Sequence, residues 1–72
     1  MLFGPHNGVV LAVQPLDIHG THMFDIIYKL DGEGGERSAR LGSEALARTP
    51  VPGEHVVVHL LMNVVTRIEP QA

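Results

Sequence analysis

The feature that most limits the fold of this chain is the run from Gly53 to Glu69, GEHVVVHLLMNVVTRIE, its longest apolar and β-branched segment. Alternate residues Val56, Val58, Leu60, Met62, Val64, Thr66 and Ile68 form a nearly all-apolar track, the pattern of a pleated strand with one face on a core. The opposite track, His55, Val57, His59, Leu61, Asn63, Val65, Arg67 and Glu69, mixes polar and apolar residues. At about 3.3 Å per residue the run would exceed about 50 Å if straight. It is therefore expected to turn near Met62-Asn63 and to supply strands four and five.

The rest of the chain reads as shorter β segments. Gly4-Pro5-His6-Asn7-Gly8 has turn chemistry, and Val9 to Gln14 follows as strand one, stopped by Pro15 and apolar on both faces. Asp17 to His22 reads as a loop. Met23 to Leu30 alternates, placing Phe24, Ile26, Tyr28 and Leu30 on one face as strand two. The glycines and carboxylates of Asp31 to Glu36 predict a hairpin connection. Arg37 to Leu41 is short and charged, as an edge strand should be. Ser43 to Arg48 predicts one or two helical turns, stopped by Thr49-Pro50. The element order predicts an all-β fold: a small five-stranded barrel, OB-like or SH3-like, with one short helix or turn between strands three and four. The 72 residues make a single domain.

Size and composition bear on what such a barrel does. A chain of this length buries only about 60% of the surface its unfolded form exposes, so small domains usually recruit a disulfide, a metal or another subunit. With no cysteine, disulfides and thiolate zinc sites are closed, and self-association is the route left. The outer track is the expected contact, with Val57, His59, Leu61 and Val65 at its centre, because exposed contiguous apolar surface marks partner sites. A net charge of -3 and three aromatic residues, Phe3, Phe24 and Tyr28, offer little to a phosphate backbone or to stacked bases. Nucleic acid is thus an unfavoured partner. The first residues show no signal-peptide pattern, and no stretch approaches the roughly 20 apolar residues that span a bilayer, so a cytoplasmic protein without membrane attachment is expected.

Five histidines are the natural ligands of a borderline metal here. On a strand His55 and His59 lie about 13 Å apart, too far to share an ion. His19 and His22, with Asp17 as a third donor, are the candidate metal ligands, although the expected state of this segment is a solvated loop without metal. Asp31, Glu33 and Glu36 lack the spacing of a calcium loop. Arg37, Arg40 and Arg48 suggest a local basic patch that Glu36 and Glu44 offset. Ser38 and Ser43, the serines available as nucleophiles, have no elbow or His–Asp arrangement around them. No catalytic residue and no cofactor is assigned.

Gly8-Val9-Val10, Val13-Gln14-Pro15-Leu16, Phe24-Asp25-Ile26, Leu30-Asp31-Gly32-Glu33, Ala39-Arg40-Leu41 and Pro52 to Val58 together resemble the TOBE domain. That domain is the transport-associated OB-like module of some ABC-transporter ATPases and molybdate-binding proteins. Leu46 to Val65, with its Pro52-Gly53-Glu54 and Val56-Val57-Val58-His59 segments, resembles the N-terminal OB-fold of RuvA. What both resemblances imply is the barrel. The Ser-Ala-Arg-Asn oxyanion segment of the molybdate modules has as its counterpart here Ser38-Ala39-Arg40, mid-chain and followed by Leu41. RuvA's acidic hairpin pair is replaced by Val65-Thr66-Arg67-Ile68, with Glu69 nearby. In size and habit the chain is also similar to the type II dihydrofolate reductases, short barrels that share one intersubunit site, but their Val-Gln-Ile-Tyr motif is absent. The expected function is a non-enzymatic, homo-oligomeric module binding a small ligand or partner protein. A nucleic-acid-binding OB-fold and a small oligomeric-barrel enzyme are the alternatives.

Overall fold

The computed structural model describes residues 1–71. Five antiparallel strands, β1 (Gly4–Ile18), β2 (Thr21–Leu30), β3 (Arg37–Gly42), β4 (His55–Leu61) and β5 (Val64–Pro70), form one sheet in the order β3-β2-β1-β4-β5. β1 is the shared strand. Its first half, Gly4 to Val9, pairs with β4, while Gly8 to Ile18 pairs with β2. Where the two pairings overlap the strand bends, and a bulge between Val10 and Ala12 gives Leu11 no partner on β2. A bulge of this kind adds local twist, and the sheet curls until β3 contacts β5. A single parallel bridge between Leu46 and Ile68 reinforces the seam.

Two expectations are corrected by this arrangement. Gly4 to Gly8 is strand, not turn, because β4 supplies a partner for every residue there, from Gly4 opposite Leu60 to Gly8 opposite Val56. Pro15 does not stop strand one. Beyond Val9 the strand pairs only with β2 and is an edge, the place in a sheet where a missing N–H can be accommodated. The short helix or turn expected between strands three and four is present as a single 3-10 turn, Ser43–Ala45, shorter than the Ser43 to Arg48 span and preceded by Gly42 with no side-chain cap. Leu46 and Ala47 then turn their backbones to β5, where the Ala47 N–H donates to the Ile68 carbonyl, and helix propagation ends.

The core consists of Val10, Ile26, Tyr28, Leu30, Leu41, Val56, Val58, Leu60 and Ile68. The alternations read from β2 and from the first half of the central run are therefore its two main walls. Burial pushes the Tyr28 phenol pKa up. At the entry to β4, Val51-Pro52-Gly53-Glu54 closes with the Glu54 N–H on the Val51 carbonyl, and Gly53 has a φ of 89°, as the third position of a type II turn requires.

Candidate functional site

The central run turns at Met62-Asn63, as its length demands, and both residues have positive φ, 51° and 68°. Such a two-residue turn brings Leu61 opposite Val64 and Leu60 opposite Val65. Opposite residues share a face, so the turn exchanges the two tracks. Val65 joins Leu60 and packs against the core, while Val64 takes the outer position beside Leu61. The expected outer position of Val65 is corrected on this ground. A register shift opposite His59 and Leu60 then leaves Thr66 without a partner on β4 and returns Ile68 to the interior.

The outer face of β4 and β5 thus has an apolar end and a polar middle. Leu61, Met62 and Val64 are 57%, 56% and 64% exposed. Phe3, also exposed, is next in sequence to Leu2, through which the N-terminal segment is clasped to the turn. The Leu2 N–H donates to Asn63 Oδ1 at 2.6 Å, and the Asn63 N–H donates to the Leu2 carbonyl at 3.0 Å. Val57 and His59 lie on the same face, half-buried. Beside them, His59 Nε2 is 2.9 Å from Glu69 Oε1, and Arg67 donates to Glu69 Oε2 at 3.1 Å. The His59 hydrogen bond, then the Arg67 charge, hold the Glu69 carboxyl below its ordinary pKa.

The candidate metal ligands are placed differently. Asp17 and His22 are opposite one another on β1 and β2, with Nδ1 and Oδ1 at 2.6 Å, and His19-Gly20 forms the turn between them. The segment is a tight hairpin end, not an open loop. Among the described residues no group of three or more His, Cys, Asp or Glu is assembled in a way that suits a metal.

The arginines are all engaged. Arg37 pairs with Glu33, Arg40 with Asp25, Arg48 with Glu54 and Arg67 with Glu69. The expected basic patch is indeed offset, but by Glu33, Asp25 and Glu54 instead of Glu36 and Glu44. Arg40 and Asp25 sit directly opposite across β3 and β2 and bond at 2.7 and 3.0 Å. They border an open concavity of about 420 Å3 on the outside of these strands, lined also by Ile27, Ser38 and Ala39. Of the aromatic residues, Tyr28 is buried and Phe24 packs against the core. No helix among the described residues is long and apolar enough to cross a membrane. Compared with family models, curated proteins and solved structures, the chain matches none.

Proposed function

We propose that this protein is a non-enzymatic interaction module that self-associates through the outer face of β4 and β5. The observation that carries the proposal is the gathering of Leu61, Met62 and Val64, each more than half exposed, at one turn, with exposed Phe3 following the Leu2 that is clasped to it. Scattered apolar residues need no partner, but a contiguous group is a candidate contact. The neighbouring polar groups suit burial, since Arg67 and Glu69 already neutralise each other and His59 is hydrogen-bonded to Glu69.

The strand order supports an OB-like barrel, with β1 shared between β2 and β4 and the β3–β4 connection passing over the seam. Nucleic-acid binding finds less support than self-association. Every arginine is committed to a carboxylate, and the outside of β2 and β3 presents Asp25, Ile27, Ser38 and Arg40 with no aromatic platform.

Sedimentation of the tag-free protein at micromolar concentration tests the proposal. We expect a multimer that Leu61→Glu dissociates while circular dichroism stays that of a folded barrel. A folded wild-type monomer sinks the reading.

A further inference from the structure

The β4–β5 face carries its charges in one cluster, and a histidine is at the centre of it. His59 stands between Val57 and Leu61 on β4, opposite Arg67 on β5, while Glu69 stands opposite Val57. His59 Nε2 is 2.9 Å from Glu69 Oε1 and 3.4 Å from the Arg67 guanidinium. A carboxylate only accepts hydrogen bonds and a guanidinium only donates them, so Nε2 cannot serve both. The shorter contact, to the carboxylate, places the ring hydrogen on Nε2. Arg67 is then a neighbouring cation, itself bonded to Glu69 Oε2 at 3.1 Å.

The other groups around His59 bring no counter-charge. On β1, Pro5 is its partner, Asn7 is the partner of Val57 and Val9 that of His55. His6, between Pro5 and Asn7, is opposite the buried Val58 and therefore on the other face, with its Nε2 3.0 Å from the Phe3 carbonyl oxygen. Lys29 lies beyond Val9 on β2, and His55 is about 13 Å from His59 along the strand. Glu69 is the one carboxylate among these groups, and Arg67 already neutralises it. A proton added to the His59 ring goes to Nδ1 and makes the cluster net positive, with the new charge beside Arg67.

Resting on the self-association proposed above, we infer that the contact is gated by protons: neutral His59 lets two β4–β5 faces meet, and protonated His59 separates them. The physical reason is the difference between a wet face and a covered one. In the single chain the His59 side chain is 26% exposed, and water solvates an added charge. In the contact that charge is taken from water with no free carboxylate to pair it, which costs far more than covering a neutral, hydrogen-bonded ring. The second copy brings the same histidine and arginine to the meeting faces, and like charges add to the cost. The assembly thus binds fewer protons than the separated chains, so acid favours separation. Histidine is the side chain whose ordinary titration falls between about pH 5 and 8, and the switch operates there.

Sedimentation of the tag-free protein at micromolar concentration, at about pH 8 and about pH 5.5, tests the inference. We expect an assembly at the higher pH and single folded chains near 7.8 kDa at the lower. Below the histidine range the dissociation constant should rise about tenfold per pH unit for each His59 covered. His59→Gln, whose amide still donates to Glu69 and takes no charge, should assemble at both pH values, while His55→Gln and His6→Gln keep the wild-type response. If His59→Gln fails to assemble at all, Arg67→Gln stands in. It frees Glu69 to balance the charged ring and should move the transition to lower pH, and an unmoved transition overturns the inference. So does a wild type equally assembled at both pH values, a His59→Gln protein that dissociates as the wild type does, or loss of the folded circular dichroism of the dilute, single barrel at about pH 5.5. Each of these leaves self-association standing. A wild-type monomer at about pH 8 overturns self-association and the switch with it.

Discussion

Gly8 sits where the barrel leaves no room for a side chain. It is buried where β1 pairs with both neighbours, opposite Leu30 on one side and Val56 on the other, and a Cβ built on it falls 2.6 Å from the Lys29 carbonyl oxygen. That oxygen belongs to the backbone and cannot swing aside. Gly8→Ala is therefore expected to cost about 1 to 3 kcal/mol, the usual cost of overpacking, instead of the small gain that removing a strand glycine often brings. Urea denaturation measures it, and an unchanged midpoint would show that the strands can spread at this point. Met62 makes the opposite case. Left-handed backbone costs a residue with a Cβ about 1 to 2 kcal/mol, so Met62→Gly should raise the stability of the isolated chain by about that much. The same change should weaken assembly, and dilute denaturation beside concentrated sedimentation separates the two effects.

At the scale of elements, the strands were legible where alternation met a buried neighbour. β2 and the first half of the central run emerge with their faces correct, since Ile26, Tyr28, Leu30, Val56, Val58 and Leu60 all lie in the core. What the local pattern lacks is the partner strand. Gly4-Pro5-His6-Asn7-Gly8 carries turn residues, yet β4 holds it extended, and Pro15 sits in a strand because that strand is an edge. Val65 was misplaced for a different reason: the alternation continues in the sequence, but the two-residue turn exchanges faces in space. Of the candidate site, the apolar excess at Val57 and Leu61 was legible, whereas Val64 and Phe3 become visible only once turn and clasp are known. The exposed edge β3 is held by Arg40 and Asp25, and the guanidinium, through its hydrogen bond first, keeps the Asp25 carboxyl below its ordinary pKa. Glu33 and Glu69 are lowered in the same direction, by Arg37 and by His59 respectively. A carboxylate with a depressed folded pKa contributes stability above its unfolded pKa and loses that contribution as pH falls through the folded value. The barrel should hold its Tm from neutrality down to about pH 4 and lose it below. Arg40→Glu places two carboxylates opposite one another, a destabilising cross-strand pair, and should soften β3 at neutral pH. A Tm that is flat from neutrality through pH 2, or a variant as stable as the wild type at low salt, would remove these pairs from the account.

The whole molecule is a small core set against a surplus of apolar surface. Nine apolar side chains make the buried core cluster among the described residues, while Phe3, Leu11, Ile27, Leu61, Met62 and Val64 remain more than a third exposed. Folding of a single chain cannot recover that area, because the sheet has only one inside. Fully burying an exposed side chain of this size contributes about 1.5 to 3 kcal/mol, of which Leu61 and Val64, 57% and 64% exposed, have somewhat more than half still to gain, against a total stability of about 5 to 15 kcal/mol for ordinary domains. Covering even Leu61 and Val64 is therefore comparable with a substantial part of what holds one barrel together. It follows that stability and association should be linked. A protein stabilised by binding its own copies has a Tm that rises with concentration, so dilution should lower the wild-type transition. Leu61→Glu should abolish that dependence and leave a transition at the monomer's own temperature. Val57, half-buried on the same face, gives the graded control, and Val57→Glu should weaken the dependence less, since less of its surface is left to cover. A wild-type Tm independent of concentration over the micromolar range, in a protein that sediments as one chain, would mean that the surplus belongs to a different partner.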